Sequence, residues 1–252
     1  MNPYVTSMLI ASLATGTIIV ANTNHWLIAW IGLELNTLAI LPMMALTHTP
    51  RATESAMKYF LTQAMASTVL LLAGTMNMYY TGQWNIMELA TQPANMLLTL
   101  ALMMKLGVAP LHAWLPEVMQ GTTLTMALLL ATWQKLAPFT LLYLFSHFLH
   151  TNTMLALALL STLIGGWGGL NQTQLRKLMA FSSIAHLGWV ISMMTMNKQL
   201  ALVTLGLYIT MTTTVFSTLM PTSMKALKDT TTTWTTIPPA MVLLMLTLVS
   251  LA

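Results

Sequence analysis

Long apolar stretches, each closed by polar or turn-forming residues, recur at about 3–21, 25–46, 57–78, 95–112, 123–145, 151–170, 178–196, 200–220 and 239–252. Most are close to the roughly 20 residues that a helix needs to cross a bilayer core about 30 Å thick. Strands of a membrane barrel would alternate apolar and polar residues over about ten positions. Runs such as Met126-Ala127-Leu128-Leu129-Leu130-Ala131 are instead apolar on every side. The pattern predicts an all-α, polytopic transmembrane helical bundle of about nine spans, forming a single domain over 1–252. The ninth stretch follows Pro238-Pro239 and reaches the last residue, Ala252, after 13 residues. That is fewer than the roughly 17 a crossing needs, so the expectation is a chain truncated within its ninth helix.

Composition sharpens the class. Of 252 residues, 56% are hydrophobic and only 6% charged, and the mean hydropathy is +0.73. An ordinary soluble domain carries about a quarter charged residues, so soluble, disordered and solvated-repeat classes are excluded. The net charge of +4 comes from nine basic residues without a basic run, which also excludes a nucleic-acid binder. There are no cysteines, hence no disulfide, iron–sulfur or thiolate chemistry. No basic region precedes the first apolar stretch, so no cleaved signal is expected.

The charges between the stretches are unevenly divided. If the spans alternate direction, the connections on the side of the N-terminus hold Arg51, Arg176, Lys177, Lys225 and Lys228, and the opposite connections hold only Lys198. Basic residues favour the side from which the chain is inserted. The N-terminus is therefore expected on the cytoplasmic side or its organellar equivalent.

Three charges fall within apolar stretches: Glu34 in the second, Lys105 in the fourth and Lys135 in the fifth. A charge at mid-bilayer costs at least about 2.5–3.5 kcal/mol, so each should face the bundle interior, paired or hydrated. Lys58, near the start of the third stretch, has Glu54 as an i,i+4 partner and can extend toward the interface. One reading makes Glu34 and one lysine a structural ion pair. However, one carboxylate cannot neutralise two central lysines. Desolvation and a neighbouring positive charge both favour a neutral amine, so a buried lysine is suited to exchanging a proton as a carboxylate approaches or retreats. Pro138 withholds a hydrogen bond from the Gln134 carbonyl and Pro110 from that of Leu106, placing free carbonyls beside both lysines. With Gly107, Pro110 also suggests a broken helix at Lys105, a feature of ion sites in transporters.

Two of the six histidines are candidate relays. His112 lies seven residues from Lys105, about two turns along a continuous helix. His186 lies within a span beside Ser182 and Ser183, whose hydroxyls offer a hydrogen-bonded path. The alternative for both is a histidine satisfied by neighbouring hydroxyls or carbonyls. His25, His48, His147 and His150 fall at span ends, and no spacing suggests a metal or haem site. The run Gly165-Gly166-Trp167-Gly168-Gly169 reads as close helix packing. The eight tryptophans read as an interfacial belt and the 24 methionines as core and lipid-facing filler. The polar connection from Lys228 to Pro239 is a candidate contact with another subunit.

Several segments together resemble the antiporter-like, proton-pumping membrane subunits of respiratory complex I. They are Met1-Asn2-Pro3, His25-Trp26-Leu-Ile-Ala-Trp30-Ile-Gly32-Leu-Glu34-Leu-Asn36, Lys58-Tyr-Phe-Leu-Thr-Gln63, Lys105-Leu-Gly-Val-Ala-Pro110-Leu-His112-Ala-Trp114-Leu-Pro116-Glu117, Trp133-Gln134-Lys135-Leu-Ala-Pro138 and Ser182-Ser183-Ile-Ala-His186-Leu-Gly188-Trp189. The match spans the chain, and its methionine and threonine richness is similar to that of proteins encoded by an animal mitochondrial genome.

The resemblance implies a role for each charge. Glu34 modulates the lysines, Lys58 and Lys105 receive protons from the matrix side, and Lys135 passes them along a hydrated axis. It implies no redox centre in this chain: FMN, iron–sulfur clusters and ubiquinone are expected in partner subunits, whose electron transfer drives the switches. It also implies a multi-pass protein of the mitochondrial inner membrane with its N-terminus in the matrix. The expected partners are other complex I subunits, especially neighbouring antiporter-like ones, and membrane lipids. Members of this family continue by roughly a hundred residues beyond Ala252, with a further lysine on the proton exit side. Two rivals remain at this stage: a stand-alone cation/proton antiporter, and a structural membrane subunit without its own proton path.

Overall fold

Helix follows the apolar pattern along most of the chain. The computed structural model describes residues 3–86, 88, 91–222, 226–229, 242 and 245, so the stretch at 239–252 lies almost wholly outside the described residues. Ten α-helices are described: α1 (Pro3–Asn22), α2 (Trp26–Met44), α3 (Pro50–Thr81), α4 (Gln92–Leu106), α5 (Trp114–Gly121), α6 (Leu124–Ala131), α7 (Trp133–Phe145), α8 (Thr151–Gly169), α9 (Leu175–Met196) and α10 (Lys198–Thr222). Six helical stretches among the described residues are long and apolar enough to cross a membrane: Pro3–Asn22, Trp26–Thr47, Pro50–Thr81, Leu124–Phe145, Leu175–Met196 and Lys198–Pro221. Two further expected spans coincide with α4, which has 15 residues, and α8, whose last five residues include four glycines.

Four boundaries differ from the sequence reading. Helix α3 begins at Pro50, seven residues before its apolar run, because Thr49 caps it by accepting from the Ala52 amide at 3.3 Å and Pro50 suits the first helical position. Its 32 residues give a length of about 48 Å at 1.5 Å per residue, more than a bilayer core. Its polar first turns therefore overhang the apolar part. Helix α4 stops at Leu106, where Gly107 takes the left-handed conformation (φ +77°) and caps the preceding carbonyls. The expected connection at 113–122 contains the short helix α5. The stretch 123–145 is divided at Thr132 into α6 and α7.

The chain divides into two compact units, one of Met1–Gly107 with Gln134–Thr151, the other of Val108–Trp133 with Asn152–Ala252. In the first, α1 and α2 approach closely through glycines. A Cβ on Gly16 would lie 2.9 Å from the Gly32 carbonyl oxygen, and one on Gly32 2.7 Å from Val20 Cγ2. Trp26 of α2 stacks on Phe145 of α7 with ring centroids 5.1 Å apart. The Asn95 amide of α4 donates to the Phe148 carbonyl at 3.2 Å. These contacts tie the starts of α2 and α4 to the end of α7 and the turn after it.

In the second unit, α8 packs on α9 where small residues permit it. A Cβ on Gly165 would lie 2.6 Å from the Ala185 backbone nitrogen, whereas one on Gly166 would meet nothing within 4 Å. Helix α5 is held against α9, and Arg176 donates to the Thr122 carbonyl that closes α5. Outward positions on several helices are apolar, among them Met8, Leu61, Leu163, Trp167 and Val203. Lipid is a solvent that suits such faces.

Candidate functional site

Glu34 of α2 and Lys105 of α4 meet inside the first unit. Glu34 Oε1 lies 3.8 Å from Lys105 Nζ, with the lysine side chain 2% exposed and the carboxylate 21% exposed. The pair is within ion-pair range but longer than a hydrogen bond, and neither of these two atoms has a hydrogen-bond partner among the described residues. The other carboxylate oxygen accepts from the Thr37 hydroxyl at 3.2 Å, a hydroxyl that also donates to the Glu34 carbonyl at 2.9 Å. Thr37 thus restrains one side of Glu34 and leaves the other facing the lysine.

Helix α4 places Lys105 in its last turn, next to its final carbonyls. The negative end of the helix dipole favours a cation there. Because α4 ends at Leu106, Lys105 does not sit mid-helix as its place in the apolar run suggested.

Lys135 is buried at 2% exposure on α7. Its neighbour Gln134 donates to the Asn36 carbonyl of α2 at 3.3 Å, which brings the start of α7 to the part of α2 that carries Glu34. Asn36 itself is 1% exposed, and neither atom of its amide has a hydrogen-bond partner among the described residues. Its side chain is pressed against Gly16 of α1. Proline at 138 stands inside α7 and at 42 inside α2; each withholds an amide from the carbonyl four residues earlier.

Lys58 occupies a different environment. It pairs with Glu54 at 2.7 Å one turn away on α3, with side chains 42% and 62% exposed. This is the expected i,i+4 pair, on the polar overhang rather than in the interior. Such a pair contributes only about 0.3–0.5 kcal/mol.

The two histidines belong to the second unit. His112 lies in the turn between α4 and α5, half-buried, with Nδ1 meeting no hydrogen-bond partner among the described residues and its carbonyl accepting from the Leu115 amide at 3.0 Å. The expected two-turn helical relation to Lys105 does not hold, because α4 ends before His112. His186 lies on α9 with its ring 5.6 Å from that of Tyr208 on α10. The hydroxyls expected beside it, Ser182 and Ser183, donate back to the carbonyls of Met179 and Ala180 at 2.9 and 2.7 Å, and Ser183 also meets the Tyr208 hydroxyl. Tyr208, which sequence reasoning passed over, is buried and donates to the Ala131 carbonyl at 3.0 Å.

Among the described residues no group of three or more His, Cys, Asp or Glu gathers in a way that could hold a metal ion. What the interior can do chemically is proton exchange. It holds two buried amines, one carboxylate beside one of them, and carbonyls released at a helix end and at prolines.

Residues 23–252 match the family described as NADH:quinone oxidoreductase/Mrp antiporter, transmembrane. The chain is 56% identical over 251 residues to the NADH-ubiquinone oxidoreductase chain 2 of Latimeria chalumnae and 52% identical over 254 residues to that of Polypterus ornatipinnis. Both matches cover 100% of this chain and 72% of the relative. Among solved structures, a chain of respiratory complex I from Thermus thermophilus with bound aureothin is similar with a TM-score of 0.81 and 28% identity. That match covers 87% of this chain and 52% of the other, so this chain spans about half the length of the solved one.

Proposed function

We infer function from one premise: the chain belongs to the NADH:quinone oxidoreductase/Mrp antiporter transmembrane family, among the chain 2 subunits of NADH–ubiquinone oxidoreductase. It is a multi-pass membrane subunit of that respiratory complex, and its task is to move protons across the inner mitochondrial membrane. Electron transfer takes place in partner subunits, which hold the flavin, iron–sulfur and quinone chemistry. Neighbouring antiporter-like subunits and lipids cover its apolar faces.

The observation that carries this reading is the pair of half-buried Glu34 and buried Lys105 at 3.8 Å. A hydrogen-bonded pair would be a lock. A pair separated by this distance, at a helix terminus, is one whose geometry a modest shift of α2 or α4 can tighten or release. When Glu34 approaches, the ammonium form of Lys105 is favoured. When it retreats, the ammonium passes its proton on. Lys135, on the helix tied to α2 through Gln134 and Asn36, is the next acceptor. Lys58 with Glu54 on the overhang of α3 gathers protons from the matrix side, and His112 and His186 serve as relays.

The same reading orients the chain with its N-terminus in the matrix, where Arg51, Arg176 and Lys228 would also lie. It keeps a broken helix at Lys105 in a fold of about nine spans over a single functional domain.

Replacing Lys135 with Met tests the relay. The expected outcome is fewer protons translocated per NADH oxidised in an assembled complex, read in sealed membrane vesicles. Normal proton yield in the assembled variant would sink the proposal in favour of a structural subunit. Purification away from NADH dehydrogenase activity with intact cation/proton exchange would instead favour a stand-alone antiporter.

A further inference from the structure

We propose that Tyr208 is a positioning residue for Lys135: its phenol holds open the interruption between α6 and α7 that determines where the lysine-bearing helix begins. The inference rests on the reading of Lys135 as a proton carrier and adds a residue that this reading did not include.

Helix α6 ends at Ala131, and Thr132 adopts φ −112° and ψ −71°, well away from regular helical values of about −63° and −42°. The last carbonyls of a helix have no partner within it. At this end two are served by different donors. The Thr132 amide and hydroxyl both donate to the Leu128 carbonyl, at 3.0 and 2.8 Å. The Ala131 carbonyl accepts from the Tyr208 hydroxyl at 3.0 Å, a hydrogen bond between residues 2% and 1% exposed. In an uninterrupted α-helix the Ala131 carbonyl would belong to the amide four residues on, that of Lys135. The phenol is therefore the donor supplied to a carbonyl that, in one continuous helix, would serve the Lys135 amide.

Tyr208 reaches this point from the middle of α10, so the start of α7 depends on a side chain far along the sequence. The His186 ring lies 5.6 Å from the Tyr208 ring, tilted by 39°. A candidate relay on α9 thus abuts the residue that secures the interruption. Sequence reasoning had no signal for this, because a single tyrosine in an apolar run reads as packing.

The test is Tyr208→Phe in the intact complex, which removes the hydroxyl and keeps the ring. Amide hydrogen exchange of residues 128–140 is read alongside protons translocated per NADH, with Lys135→Met as reference. The expected result is altered exchange across 131–136 together with a fall in proton yield comparable to that of Lys135→Met. Unchanged exchange in this segment would overturn the positioning role whatever pumping does. Altered exchange with normal pumping in both variants would support the positioning of α7 and overturn Lys135 as a carrier, so the two failures are distinct. If Tyr208→Phe does not assemble, a high-resolution map of the unmodified complex decides: a Tyr208 hydroxyl beyond hydrogen-bond distance from the Ala131 carbonyl would overturn the proposal.

Discussion

Glu34 has two carboxylate oxygens with different surroundings: one accepts from Thr37, the other faces Lys105 across 3.8 Å. Its charge, rather than its volume, is what can bias the lysine. Glu34→Gln is therefore expected to reduce protons translocated per NADH more than Glu34→Asp, which keeps a carboxylate on a shorter stem. Equal losses in the two variants would point to a steric role. At this scale the sequence was legible for ionisable residues: Glu34, Lys105 and Lys135 stand out because a charge in an apolar run is costly. It named Asn36 and Gln134 only within the resembling segments, with Gln134 also as the carbonyl freed by Pro138, and it was silent on Tyr208. Neutral polar and phenolic side chains cost less than a charge in a membrane helix, and their meaning comes only from what they touch.

Among the helices, glycine positions distinguish packing from filler. Within the same Gly-rich run, a Cβ at 165 would collide with the backbone of Ala185, while one at 166 would meet open space. Gly165→Leu should push α8 from α9 at a cost of about 1–3 kcal/mol or more. Gly166→Leu should be close to silent. Thermal midpoints and the yield of assembled complex compare the two, and equal loss in both variants would refute the assigned α8–α9 contact. The close packing of this run was expected from the sequence, but the periodicity did not single out the residue facing the neighbour. The helix ends were partly legible. Gly107 and Pro110 flagged the end of α4, whereas nothing in the apolar run of 123–145 marked the interruption at Thr132. The two-turn relation of His112 to Lys105 failed for the same reason that Gly107 was noticed: the helix does not continue through it.

Across the whole molecule, the asymmetry of basic residues predicts that Arg51 and Gln83, at opposite ends of α3, face opposite compartments. The sequence has no cysteine, so a label recovered on peptides of this sequence marks the introduced residue. Arg51→Cys should react with an impermeant thiol reagent from the matrix side and Gln83→Cys from the other side. Labelling of both from one side would overturn the crossing of α3, and the reversed result would invert the topology.

Membrane residence, helical class and the identity of the chargeable groups were decided by the sequence alone. Each follows from transfer free energies that add residue by residue along a stretch and do not depend on which helix is next to which. Tertiary structure decided that Lys105 meets Glu34, that it does so at the end of a helix, that Lys58 belongs to the overhang of α3, and that Tyr208 serves a carbonyl of α6. These are relations between side chains far apart in the chain, set by close packing at glycines and by carbonyls that need a donor in a solvent that offers none.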